Sequence, residues 1–294
     1  MTLRMIGDRR YNSLHIRYHF LLDRLSRKDI LLVYQMGKVG STSVVRSLGA
    51  SPEVIKKMVI YQTHFLTEKG INFVQQLEEH GYGGWSNLPS KTKRVLLTER
   101  YLGRRLKAGR LCGRQCKVIS LVRDPIATNL SGFFYNYHWW PEGLRRMCEI
   151  RKPGWQKALL ECFLASYPHS VSLTWFDTEM RMIFGLDVYE TPFAKERGYS
   201  VYENERVHLL VLKLERLRES ASQAIRDFLG ISEFRLTTAN RGSKKWYGEI
   251  YQTFLQDVKL SNEYRQKMLT SQHVNHFYSF EERNQFDSLY AGAL

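Results

Sequence analysis

The feature that most constrains this chain is the passage from an unbroken apolar run, Ile30-Leu-Leu-Val33, into Tyr34-Gln-Met-Gly-Lys-Val-Gly-Ser-Thr-Ser43. Consecutive apolar residues bounded by a glycine-bearing turn read as a strand covered on both faces, the habit of parallel sheets. Val44, Val45 and Leu48 follow at helical spacing until Gly49. Such a strand, turn and helix opening on Ser41, Thr42 and Ser43 make an anion cradle, because unpaired backbone N–H groups and the helix dipole both face the turn. The spacing is not that of a Mg²⁺–NTP loop, in which Ser or Thr follows the lysine directly. Here Lys38 stands three residues before Ser41.

The same reading extends along the chain. A second strand is predicted over Val54–Thr63, with its apolar core at Met58-Val-Ile-Tyr61 and its end near His64. A third, Lys117–Val122, runs straight into Arg123-Asp-Pro125, where proline stops the ladder. Val207–Leu214 is another strand. Residues 66–115 read as helical or irregular, with a turn at Gly81–Gly84. Helices are predicted over Ile126–Tyr137, over Ser220–Leu229 before Gly230, and beyond residue 240, where Trp246, Ile250, Phe254 and Val258 stand four apart. Strands separated by helical stretches predict an α/β fold with a central parallel sheet flanked by helices. Without a repeat or linker, a single domain is expected over residues 1–294: an N-terminal amphipathic helix (1–28), a core (29–260) and a helical tail (261–294). Residues 138–155 read as an irregular aromatic insertion over the site.

A chain of 294 residues, 43% hydrophobic, can bury a large core. No apolar run approaches the ~20 residues of a membrane span, and the N-terminus lacks a signal-peptide core, so a soluble cytoplasmic protein is expected. Leu14, Tyr18, Leu21, Leu22 and Leu25 recur at helical spacing among Arg17, Arg24, Arg27 and Lys28. This helix is expected to pack on the domain, with peripheral membrane contact through residues 11–28 as the alternative. The net charge of +15 suits a polyanionic partner: acidic membrane, anionic polysaccharide or a phosphorylated cofactor. No recognition helix, zinc finger or aromatic-basic repeat supports nucleic acid. Cys112, Cys116, Cys148 and Cys162 lack metal-ligand spacing and read as free buried thiols, and no metal is expected.

Four segments in order resemble the sulfotransferases that use 3′-phosphoadenosine 5′-phosphosulfate (PAPS), whose fold is similar to that of P-loop NTPases. They are Gly37-Lys-Val-Gly-Ser-Thr-Ser43, Arg123-Asp-Pro-Ile-Ala-Thr-Asn-Leu-Ser131, Leu212-Lys-Leu-Glu-Arg-Leu217 with Phe228-Leu-Gly230, and Asn240-Arg-Gly-Ser-Lys-Lys-Trp-Tyr247. The Asn-x4-Lys-Trp-Tyr stretch and His276-Phe-Tyr-Ser279 look more like bacterial proteins labelled as capsular polysaccharide synthesis proteins.

That resemblance implies a metal-independent transfer of the sulfuryl group of PAPS to a hydroxyl of a carbohydrate acceptor, for which an anionic saccharide would suit the basic chain, leaving adenosine 3′,5′-bisphosphate (PAP). Gly37, Lys38, Val39, Gly40, Ser41, Thr42 and Ser43 would hold the 5′-phosphosulfate, with Lys38 at the leaving group. Arg123, whose planar fork suits two phosphate oxygens, and Ser131 would hold the 3′-phosphate. Arg241, Gly242 and Lys244, with Lys245, would close over the nucleotide. His64 is the expected general base, with Glu99 and His138 as competitors; Glu99 would serve if Arg94–Thr98 formed a strand near the cleft. The aromatics from Phe133 to Trp140 could stack on a sugar or on adenine, or belong to the core. A P-loop phosphotransferase using Asp124, and a silent nucleotide- or polysaccharide-binding module, are the competing readings.

Overall fold

The computed structural model describes residues 28–109, 115–237 and 246–291, together with residues 16, 18, 20–22 and 25. Among them, five strands form one sheet in the order β2-β1-β3-β5-β4. The strands are β1 (Asp29–Tyr34), β2 (Met58–Thr63), β3 (Cys116–Val122), β4 (Tyr199–Glu203) and β5 (Val207–Lys213). β2, β1, β3 and β5 run parallel. β4 pairs antiparallel with β5 and is the one departure from an all-parallel sheet. Its short Tyr-Ser-Val-Tyr-Glu run alternates between buried and exposed positions, as an edge strand does. The Asn204 side chain, accepting from the backbone N–H of Arg206 and Val207 at 2.9 and 3.0 Å, sets the turn into β5.

Alternation along each strand divides the interior into two layers. Leu31, Val33, Ile119, Leu121, Leu210 and Leu212 point to one face, covered by helices α1 (Ser41–Ala50), α2 (Pro52–Lys57) and the later α9 (Leu217–Leu229). Leu32, Tyr34, Val118, Val122, Leu209 and Val211 point to the other, where one cluster extends from Ile16 and Phe20 to Tyr290. The intervening helices are α3 (Glu68–Tyr82), α4 (Ser90–Lys107), α5 (Pro125–Tyr135), α6 (Glu142–Glu149), α7 (Trp155–Ser166) and α8 (Val171–Trp175). α8 continues through a π segment, Phe176–Arg181, into Met182–Phe184. After β5 and α9 come α10 (Gly248–Asp257), α11 (Asn262–Leu269), α12 (Gln272–Phe277) and α13 (Phe280–Ala291).

Several sequence expectations are corrected. Val54–Lys57 is helical, because Pro52 at the first turn and Ser51, whose hydroxyl accepts from Val54 N–H, start a helix there. The segment 138–155 is not an irregular insertion: it contains α6, and Trp140, Cys148 and Trp155 are buried in the main cluster. Cys116 is disulfide-bonded rather than free. Cys148 is a free buried thiol, and Cys162 is free but only half-buried. The helical reading of the tail is not among the corrections: its described residues carry α11, α12 and α13, and Leu260 N–H donates to Tyr290 O at 3.0 Å.

Candidate active site

The strand order places a topological switch at β1. The chain moves from β1 to β2 on one side, then returns past β1 to β3 on the other. In open α/β sheets the crevice at the carboxyl ends of such strands is where ligands bind. The predicted residues follow those strand ends directly: the β1 turn with Lys38, His64 after β2 and Arg123 after β3.

The β1–α1 turn is held in an uncommon backbone. Lys38 has φ of +71°, a left-handed conformation unusual for a side chain-bearing residue, and Gly40 has φ of +86°. Gly40 also packs directly against the Leu214 side chain, leaving no room for a Cβ. Arg123 Nη1 donates to the Lys38 carbonyl at 3.0 Å, which ties the β3 end to the turn. The N-terminus of α1 has no side-chain cap. Ser41 is buried, and its Oγ accepts from Gln62 Nε2 at 2.9 Å; Val39 is buried beneath the turn, while Thr42 and Ser43 are half-buried. The Lys38 ammonium lies 4.4 Å from the ring centroid of Tyr135, which is exposed.

His64 is half-buried and oriented by its neighbours. Its Nδ1 lies 3.0 Å from the Gln35 carbonyl, and because a carbonyl only accepts, Nδ1 carries the proton and Nε2 keeps its lone pair. The Gln35 amide nitrogen, 3.3 Å from the same Nδ1, would then face a donor, while Gln35 Oε1 is buried without a partner. Exchanging the amide O and N settles the Nδ1–H clash by giving it a second acceptor. Burial lowers the His64 pKa, an effect the Gln35 carbonyl opposes and nearby Lys38 reinforces. A neutral imidazole is the form a proton acceptor needs.

Glu99 is no strand residue: it lies within α4, and it is buried. Its Oε1 accepts from His64 N–H at 2.9 Å, Thr63 Oγ1 at 3.1 Å and Phe65 N–H at 3.3 Å. Burial raises its pKa to about 7. A second acid completes the support of this strand end. Glu179, on the π segment, accepts from Tyr34 Oη at 2.5 Å, Leu66 N–H at 2.7 Å and Thr67 N–H at 2.9 Å, and from the Thr67 hydroxyl. Glu99 and Glu179 thus hold the backbone from Thr63 to Thr67, and the Glu99 oxygen is engaged in fixing the backbone that carries His64. His138 packs instead against α3, 3.4 Å from Glu78 and with its ring tilted against Tyr82 at 4.5 Å.

At the β3 end, the structure brings Arg123 and Ser131 together through a residue that sequence reasoning missed. Burial raises the pKa of Tyr251, from α10, and the side chains of Arg123 and Ser131 both oppose that rise, so its hydroxyl lies beside the two. The i, i+3, i+4 pattern of α10 was visible, but nothing in it distinguishes Tyr251 from a core aromatic. Asp124 is buried and engaged: Oδ1 caps α5 at Ile126 N–H, 2.9 Å, and Oδ2 accepts from Tyr290 Oη at 3.0 Å. Glu215, in turn, accepts from Asp124 N–H at 2.8 Å and from Tyr278 Oη at 3.2 Å. Lys213, fully buried, donates to both carboxylate oxygens of Glu282 at 2.9 Å.

The aromatic run divides between two roles. Phe133, Phe134 and Trp140 belong to the core. Tyr135 and Tyr137 lie toward the site, the first beneath Lys38 and the second edge-on to exposed Trp246 at 4.9 Å. Arg241, Gly242, Lys244 and Lys245 lie outside the described residues.

Residues 158–279 match the family model NKWYS, described as "putative capsular polysaccharide synthesis protein", which links this part of the chain to polysaccharide biosynthesis. No curated protein and no solved structure matches significantly.

Proposed function

We propose that this protein is a sulfotransferase that moves the sulfuryl group of PAPS to a hydroxyl of a carbohydrate in polysaccharide biosynthesis. The observation that carries this reading is the convergence of two separate cationic, donor-rich groups at one switch point: the left-handed Lys38–Gly40 turn, and Arg123, which is tied to that turn through the Lys38 carbonyl and has Ser131 and Tyr251 beside it. A nucleotide bearing phosphate at both 3′ and 5′ positions needs two such sites, and a simple nucleoside triphosphate does not. The carbohydrate acceptor is supported by the match over residues 158–279.

In this proposal the N–H groups opening α1 and the hydroxyls of Ser41, Thr42 and Ser43 take the 5′ end. The Arg123 guanidinium, Ser131 and Tyr251 take the 3′-phosphate. PAPS supplies the activated sulfur. The acceptor oxygen forms its bond to sulfur as the bond from sulfur to the 5′-phosphate oxygen breaks, and the acceptor proton passes to His64 Nε2. Lys38 offsets the negative charge that builds on the departing oxygen, the kind of preorganised electrostatic help that is the largest single term in many enzymes. The products are a carbohydrate sulfate ester and PAP. The phosphotransferase alternative is disfavoured by Asp124, whose two oxygens serve Ile126 N–H and Tyr290 Oη rather than facing the turn.

The test is label transfer from PAPS to a panel of polysaccharides, with and without chelator, alongside thermal melting with PAP. Transfer that survives chelation, and loss of about 10²–10³ in turnover for Lys38→Ala with PAP binding largely kept, is expected. Absence of any stabilisation by PAP would sink the proposal.

A further inference from the structure

The helical residues before β1 present two apolar faces. At the α-helical advance of about 100° per residue, Ile16 and Phe20 fall on one side, and Tyr18, Leu21, Leu22 and Leu25 fall within an arc of about 100° on the opposite side. The structure respects that division. Ile16 and Phe20 are buried, with Phe20 stacked on Tyr61 of β2 at 4.8 Å and tilted against Tyr101 of α4 at 4.5 Å. Tyr18, Leu21, Leu22 and Leu25 are 59%, 54%, 43% and 67% exposed. A helix already docked by its first face has no packing reason to carry Leu21, Leu22 and Leu25 on its second. Exposed apolar residues scattered singly need no explanation, but a stripe on one helix face marks an interaction surface.

The charge around the stripe identifies the partner. Residues 1–28 hold seven Arg and Lys against two Asp, with Arg17, Arg24, Arg27 and Lys28 interspersed with the apolar positions. Lys28 Nζ donates to the Ile55 carbonyl at 2.6 Å, which brings α2 alongside, with Ile55 46% exposed and Lys56 exposed. α4, against which Phe20 packs, ends on exposed Arg104 and Lys107. A second copy of so basic a segment would repel, whereas an apolar stripe in a segment this rich in Arg and Lys is what a bilayer with anionic headgroups attracts. Among the described residues no helix is long and apolar enough to cross a membrane, so the contact is with the surface.

We infer that the stripe Tyr18, Leu21, Leu22 and Leu25 seats the protein on an anionic lipid bilayer, held by these apolar side chains and steered by the net positive charge of the segment that carries it. The inference is independent of the reaction at the strand ends. It is tested by co-sedimentation of the full chain with vesicles of phosphatidylcholine alone or mixed with phosphatidylglycerol, at low and high salt. The wild type should bind the mixed vesicles, bind the neutral ones far less, and weaken as salt rises. The exposed pair Leu21→Glu/Leu25→Glu should weaken binding at least about tenfold at an unchanged melting temperature. Failure of the wild type to bind mixed vesicles, or equal binding by the double variant, overturns the inference. So does a wild-type dimer that the double variant converts to monomer in analytical ultracentrifugation, since the stripe would then pair two copies.

Discussion

Glu99 couples the position of His64 to pH, and replacing it with glutamine should remove a measurable part of the protein's pH-dependent stability. The carboxyl titrates near 4.5 when exposed and at about 7 in the folded protein, because burial disfavours its charge more than its three donors favour it. With the folded pKa raised, the folded state binds the proton more tightly than the unfolded chain. Its contribution is therefore greatest below pH 4.5, declines as pH rises from there to about 7, and is flat above. The full span corresponds to about 3 kcal/mol at 1.36 kcal/mol per pKa unit. Glutamine keeps an oxygen for Thr63 Oγ1, His64 N–H and Phe65 N–H but does not titrate. Urea unfolding of wild type and Glu99→Gln at pH 5 and pH 8 isolates the difference. The wild type should lose about 2–3 kcal/mol relative to the variant between those two values, roughly 5 °C in melting temperature for a chain this long. A stability difference that does not change with pH would refute the argument that Glu99 is held largely protonated by burial.

Other perturbations give equally direct readings. Gly40→Ala forces a Cβ into the Leu214 side chain at φ of +86°, and should lower stability by about 1–3 kcal/mol in thermal or urea unfolding. Arg123→Lys keeps the charge but loses the fork that reaches the Lys38 carbonyl, and PAP affinity by isothermal titration should fall about tenfold or more, with little change in fold by circular dichroism. His64→Gln should cut sulfuryl transfer by about 10²–10⁴ while leaving PAP affinity near the wild-type value; near-normal turnover would remove His64 from the role of base.

The parts of this architecture that were legible in the sequence are those in which local pattern and tertiary context agree. β1, β3 and β5 are mainly apolar runs because both faces are covered, and their ends at Tyr34, Val122 and Lys213 fall within three residues of where Gly37, Pro125 and the Lys213 charge break the pattern. The left-handed turn was announced by Gly40. Other features depend on distant partners. β4 is a five-residue edge strand whose alternation is too short to stand out. Nothing in the sequence between Thr98 and Arg100 marks Glu99 as buried, and only the arrival of the Thr63–Phe65 backbone makes it a buried acceptor. Tyr251 is indistinguishable in sequence from neighbouring core aromatics, because its role depends on Arg123 and Ser131, more than a hundred positions earlier.

The acids at the ends of β3 and β5 have a consequence for how the chain is made. Asp124 and Glu215 are complemented by the hydroxyls of Tyr290 and Tyr278, and Lys213 by Glu282. All three partners emerge from the ribosome after every strand of the sheet. Until they arrive, a nascent sheet would hold two carboxylates and an ammonium in a setting that penalises each. Completion of the strand ends that carry Arg123 and the proposed nucleotide site is therefore deferred to the last part of synthesis. A nascent chain arrested before residue 278 would be an incompletely closed intermediate rather than a shortened version of the finished fold.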